Sequence, residues 1–212
     1  MDILVVTAVP AERDAVTRAC GAGFDVLAGG VGPAAAAAST ARALATGSYG
    51  LVVSAGIGGG FAGRAPLASV VVADAIVAAD LGAQTAEGYV PVTGLGFGTV
   101  EHLPPADLVR VTSEAAGAVT GTVLTVSTVT GTAARAAELS TRHPGAAVEA
   151  MEGFGVAEAA ALFGLPVLEI RAVSNAVGPR DRDAWRIGDA LGALSDAFGK
   201  IAPVLEGWTP HD

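Results

Sequence analysis

The chain is poor in cysteine, lysine and long apolar runs, and each shortage excludes something. Cys20 is the only cysteine of 212 residues, so no internal disulfide can form. It reads as a small core residue on an early helix rather than a nucleophile. Lys200 is the only lysine, and 21 acidic residues against 12 basic ones leave a net charge of -9. That balance disfavours nucleic acid, whose phosphates require a basic face, and leaves small molecules as partners. The N-terminal "MDILVVTAVPAERDAV" has no basic leader and reads as a first strand, not a signal peptide. The run "SVVVADAIVAAD" is broken by Asp and too short to span a bilayer. These features point to a cytoplasmic protein without membrane contact. His102, His143 and His211 are scattered and no Cys/His cluster exists, so neither a metal nor an organic cofactor is expected.

What is present is a hydrophobic fraction of 51% over a length that suits one domain spanning residues 1–212. Apolar runs alternate with helical patterns. "DILVVTA", "FDVLAGG", "YGLVVSAG", "ASVVVADAIVAA", "GTVLTVST", "GAAVEA" and "LPVLEIRAVS" read as strands. Between them, helices open at Pro10 and Pro33 and lie in "PPADLVRVTSEAAGAV", "GTAARAAELSTRH" and "EGFGVAEAAALFG". Residues 187–207 form a closing amphipathic helix, with Ile187, Leu191, Leu194, Phe198 and Ile201 expected inside. The third strand is expected to break at "GIGGG", and residues 81–103 to be irregular. Continuous apolar strands require a sheet covered on both faces, so the fold class is an α/β sandwich. In such folds ligands sit at strand ends.

Four strand ends carry polar or glycine-rich sequence. Glu12 opens the first helix; its charge suits the helix dipole, or it holds a water. "SAGIGGGFAG" and "GGVGPA" match no Walker loop and no dinucleotide fingerprint. Their glycines either turn the chain or let backbone N–H groups approach a ligand. Glu149 and Glu152 flank Met151 where a short strand meets a helix, and a carboxylate there suits two ribose hydroxyls or the helix N-terminus. Ser174 and Asn175 end a buried strand. Asn both donates and accepts, which suits the edge of a heterocycle as well as an ordinary turn. Beyond them Arg180, Arg182 and Trp185 crowd one loop, where Asp181 and Asp183 would cap the last helix.

Taken together and in order, "AVPAERD", "GGVGPAAAA", "SAGIGGGF", "VVVADAIVAADLG", "VEAMEG" and "RAVSNAVG" resemble the purine nucleoside phosphorylase/nucleosidase superfamily, and within it the methylthioadenosine/S-adenosylhomocysteine nucleosidase branch. The resemblance covers nearly the whole chain. It implies a three-layer αβα sandwich around a mixed central sheet, cleavage of an N-ribosidic bond and a homo-oligomer. By matching position, Glu12 is implied to orient the attacking water, and Met151 and Glu152 to hold the ribose. Ser174 and Asn175 are implied to meet the base, with Gly58 and Gly59 beside it and Thr130, Gly131 and Thr132 in the base-contacting segment. The chain departs from that branch in three places. Asn175 replaces an Asp, Ile57 replaces a Ser, and "EAME" has one residue more than Glu-Met-Glu. An Asn amide donates to N7 or to the oxygen of a 6-oxopurine, where a carboxylate would face two acceptors at a cost of about 1–3 kcal/mol. Asn175 therefore points to a hypoxanthine nucleoside. The members with this charged loop take a 5′ chain ending in a benzoate, which Arg180 or Arg182 would pair with and Trp185 would stack on. An adenine nucleosidase, a phosphorylase and a binding-only sensor remain as alternatives.

Overall fold

The computed structural model describes residues 1–209; His211 lies outside them. Its frame is β1 (Ile3–Thr7), α1 (Pro10–Thr17), β2 (Phe24–Ala28), α2 (Pro33–Thr46), β3 (Leu51–Gly60) and β4 (Val70–Ala78). There follow β5 (Gly82–Thr85), β6 (Gly88–Pro91), β7 (Glu101–His102), α3 (Ala106–Ala116), β8 (Val119–Thr125) and α4 (Ala133–Arg142). The chain continues through β9 (Ala146–Ala150), α5 (Gly153–Leu162), β10 (Val167–Ala176) and α6 (Ile187–Gly207).

The main sheet runs β10-β4-β8-β9-β3-β1-β2, and β10 also pairs with β3. Five of its strands therefore close into a ring, with β1 and β2 continuing outward from β3. The sheet is mixed: β3 is parallel to β1 and β10 but antiparallel to β9. All five residues of β1 are buried, and the pleat sends them to alternate faces. Ile3 and Val5 join Leu51 and Val53 beneath Leu194, Phe198, Ile201 and Leu205 of α6. Leu4 and Val6 join Val52 against Ala36 and Leu44 of α2 and Val156 and Ala157 of α5. Both faces are covered, which is why these strands read as continuous apolar runs. A Cβ on Gly155 would lie 2.0 Å from the Pro33 carbonyl oxygen, so that glycine sets the close approach of α5 to the start of α2.

Three expectations need correction. β3 does not break at the glycines: it stays extended to Gly60, because Gly58, Gly59 and Gly60 pair with β9 or β10. Residues 81–103 contain an antiparallel hairpin, β5 with β6, and the short β7 on the edge of β4. Ile187 is 44% exposed at the first turn of α6, before the helix reaches the sheet.

Candidate active site

The strand ends of β1, β3, β9 and β10 surround a cavity of about 340 Å³. Glu12 reaches it from the third position of α1 and is 4% exposed. Its Oε2 accepts from the backbone N–H of Ala8 at 2.9 Å and of Val9 at 3.2 Å, and its Oε1 from Ile57 at 2.9 Å. The first two satisfy donors at the start of the helix. The third ties α1 to β3, so Ile57 contributes through its backbone.

Glu152, 5% exposed, begins α5. Its Oε1 accepts from Gly32 N–H at 3.2 Å, so the "GGVGPA" loop supplies a backbone donor. Its Oε2 stands 3.3 Å from Nη1 of Arg171, close enough for an ion pair but not aligned for a hydrogen bond. Arg171 is buried on β10. Its Nε donates to Glu169 Oε1 at 2.9 Å and its Nη2 to Ser54 Oγ at 3.0 Å. Burial opposes the guanidinium charge, but Glu169, then Glu152 and Glu12, outweigh it and push Arg171 up. Burial pushes the fully enclosed Glu169 up, against the pull of Arg171, and its Oε2 has no partner. Gly56 makes room for this cluster: a Cβ there would fall 2.6 Å from both Arg171 Nη1 and Glu12 Oε1.

On β9, Glu149 is 6% exposed and also lines the cavity. Its Oε1 accepts from Thr130 N–H at 2.8 Å and its Oε2 from the Thr130 hydroxyl. Burial pushes this carboxyl up, and the two Thr130 donors pull it back. Across the sheet, Ser174 donates to Asn175 Oδ1 at 2.8 Å and lies 3.2 Å from the Gly58 carbonyl. One Nδ2 hydrogen of Asn175 goes to Ala176 O at 3.1 Å. Asn175 also lines the cavity, and its amide keeps one N–H and one acceptor site beyond these bonds.

Met151, Gly58, Gly59, Thr130, Arg180 and Trp185 share this wall. Gly131, Thr132 and Arg182 do not. Gly131 and Thr132 are exposed, and the Thr132 hydroxyl instead caps α4 by accepting from Arg135 N–H at 3.2 Å. Arg182 is outside the cavity lining but stands 5.7 Å from the Trp185 ring centre, with Arg180 at 5.2 Å. Asp181 caps the short turn at Arg182–Ala184, not α6. Half-buried Cys20 has a thiol pushed up to about 12, by burial and then by Glu206, which makes it unreactive. The sequence reading missed Arg171 and Glu169. Among the described residues, no group of three or more His, Cys, Asp or Glu is placed to hold a metal ion. A second cavity, of about 290 Å³ beside Phe154, is mainly apolar; its Asp80 and Glu158 are engaged by Ser127 N–H and His102.

The closed mixed sheet gathers carboxylates, an amide and a buried arginine at its strand ends, around one cavity. The chain belongs to the phosphorylase superfamily, whose family model matches residues 11–203. Within it the sequence is similar to futalosine hydrolases. It is 66% identical to that of Streptomyces coelicolor over 100% of both chains. It is 45% identical to that of Acidothermus cellulolyticus, over 93% of this chain and 89% of the other. The fold matches a 5′-methylthioadenosine/S-adenosylhomocysteine nucleosidase from Neisseria meningitidis, solved with methylthio-immucillin-A, at a TM-score of 0.83 and 18% identity over 96% and 99% of the two chains. It matches a futalosine hydrolase of Helicobacter pylori at the same TM-score and 14% identity over 96% and 98%. At such identities the two structures speak for the fold alone.

Proposed function

We propose that the protein hydrolyses the N-ribosidic bond of futalosine, releasing hypoxanthine and dehypoxanthine futalosine on the way to menaquinone. The observation that carries this is the joint placement of Glu12, Glu152 and Asn175 around one cavity, in a chain 66% identical to a futalosine hydrolase. The C1′–N9 bond breaks first and the sugar gains oxocarbenium character. Glu152 accepts from the ribose hydroxyls, and its charge favours the developing cation. Glu12 orients a water and accepts its proton as the new C1′–O bond forms. Arg171 pairs with Glu152 and acts as a positioning residue for that carboxylate, while backbone N–H groups hold Glu12. Asn175 donates to the departing 6-oxopurine; the proton the base gains comes from water, because an amide has none to give at neutral pH. Arg180 and Trp185 lie at the rim, suited to the benzoate end of the 5′ chain.

The deciding experiment is chromatography of released base from futalosine, inosine and methylthioadenosine, each with and without phosphate. Hypoxanthine from futalosine without phosphate is the expected result. Adenine from methylthioadenosine overturns the reading of Asn175, and a phosphate requirement overturns hydrolysis. A cytoplasmic homo-oligomer is part of this proposal. Phe97, Leu103 and Leu162 are each at least two-thirds exposed, and association would cover such side chains. Light scattering that shows a monomer removes that part. No helix among the described residues is long and apolar enough to cross a membrane.

A further inference from the structure

Glu169 is a fully enclosed carboxylate that the hydrolysis just described does not use. It lies two residues before Arg171 on β10, so the two side chains share a face. That face meets the start of α5. A Cβ on Gly153, the first residue of the helix, would stand 2.0 Å from Glu169 Oε2 and 2.2 Å from its Oε1. The carboxylate therefore fills the space that a side chain at Gly153 would need, one residue from Glu152. Its Oε1 accepts from Nε of Arg171, and Nη1 of the same guanidinium faces Glu152 at 3.3 Å. Arg171 is thus held between a carboxylate that lines the cavity and one that does not.

The charges at this corner do not share the arginine equally. Glu12, on α1, has three backbone N–H donors. Glu152 has the N–H groups of Gly32 and Met151 besides the ion pair. Among the described residues Glu169 accepts from Arg171 alone, and its second oxygen from nothing. The bond to Glu169 is short and aligned, whereas Nη1 is not aligned for a hydrogen bond to Glu152. The guanidinium charge is therefore met first by Glu169. This matters because a buried charge is weakly screened. An uncompensated guanidinium beside Glu152 would cancel the negative potential at the sugar and repel a cation forming there. A guanidinium already paired with a second carboxylate does neither.

We propose that Glu169 is a positioning residue that acts through Arg171: it fixes the guanidinium and offsets its charge, so that Glu152 keeps its field for the oxocarbenium-like sugar. This rests on the hydrolase reading and deepens it. Arg171 then orients Glu152 without neutralising it. The contribution belongs to the charged transition state and not to the neutral substrate, so it appears in kcat rather than in KM.

The test uses Glu169→Gln, which keeps the shape and an oxygen for Arg171 Nε but removes the charge. Two uncleavable futalosine analogues with a C-linked base separate field from shape. One carries a protonated nitrogen in place of the ring oxygen O4′; the other keeps the oxygen and is neutral there. The variant should lower kcat on futalosine at least about tenfold with KM little changed. Its inhibition constant for the cationic analogue should rise at least about tenfold, and that for the neutral analogue should stay within about twofold. Glu169→Asp, which keeps the charge, should restore the preference for the cationic analogue. Equal weakening of both analogues, or a loss confined to KM, would show that Glu169 merely packs beneath α5, and would overturn the proposal. Unchanged kcat and inhibition constants would overturn it as well. Should Glu169→Gln fail to fold, Glu169→Asp decides: a tenfold loss of its preference for the cationic analogue, with the charge still present, would overturn the proposal. Wild-type protein inert toward futalosine would instead overturn the hydrolase reading itself.

Discussion

Replacing Arg171 with methionine should destabilise the protein severely, and removing Glu169 as well should restore most of the loss. Glu169 and Arg171 are two apart on β10, so their side chains share a face, and both are essentially inaccessible. The guanidinium lies 2.9 Å from Glu169 and 3.3 Å from Glu152. Arg171→Met leaves two carboxylates in the interior with no cation between them. Breaking a buried ion pair from one side costs about 3–5 kcal/mol. For a chain of this length that lowers Tm by roughly 6–20 °C. The cost is limited by protonation. Burial already pushes Glu169 up, and Arg171 is the largest influence holding it down. Without Arg171, Glu169 takes a proton. A carboxyl raised in the folded state stabilises below its unfolded pKa and loses that contribution as pH rises through the folded one. The deficit of the variant should therefore grow from pH 5 to pH 8. Glu169→Leu with Arg171→Met replaces the pair by apolar volume, which is often neutral. Urea unfolding of wild type, both single variants and the double variant closes the cycle. Turnover should stay lost in the double variant, because Glu152 still lacks its partner. A double variant as unstable as Arg171→Met would refute this account of the pair.

Glu12→Gln should lower kcat by about 10²–10⁴ with little change in KM, since the group acts on water rather than on the substrate ground state; steady-state kinetics on futalosine checks this, and a loss confined to KM would contradict it. Arg180→Ala should raise the KM for futalosine about tenfold and leave inosine, which lacks the carboxylate, unchanged. Arg182→Ala, outside the cavity wall, should do less; unchanged KM in both variants removes the benzoate contact.

Much of the site was legible because its residues sit where local signals are strong. Glu12 and Glu152 begin helices, and Ser174 and Asn175 end a strand, so sequence alone places them at one edge of the sheet. Arg171 and Glu169 were missed because they lie within an apolar run, and what they touch, Ser54 and Glu152, is distant in sequence or in the loop beyond β9. The trace that was present is the alternation Glu-Ile-Arg inside a buried strand: two opposite charges on one face have to pair. Thr132 was misplaced although "TAAR" carries a helix-cap pattern, a hydroxyl three residues before a free backbone N–H. The glycines of β3 were read as a break because glycine weakens isolated strands. Tertiary pairing with β9 and β10 overrides that tendency.

Those glycines make a final, separable prediction. Gly56 and Gly59 are three apart on an extended strand, so they open opposite faces of β3. A Cβ at Gly56 would meet Arg171 Nη1 and Glu12 Oε1, each at 2.6 Å. Neither can retreat: Arg171 is held by Glu169 and Ser54, and Glu12 by three backbone N–H groups. Gly56→Ala should therefore displace the ribose-side charges, destabilise by about 1–3 kcal/mol and lower kcat. At Gly59 the nearest atoms are 3.0 Å away on Val177 and 3.1 Å away on Asn175, and Asn175 is only partly buried and free to adjust. Gly59→Ala should leave Tm nearly unchanged and act on base binding, raising KM and weakening hypoxanthine inhibition. Melting curves with kcat and KM for both variants separate the two faces. Matching losses in kcat, KM and Tm for the two would mean that β3 serves the site as one rigid edge, with no division between a sugar side and a base side.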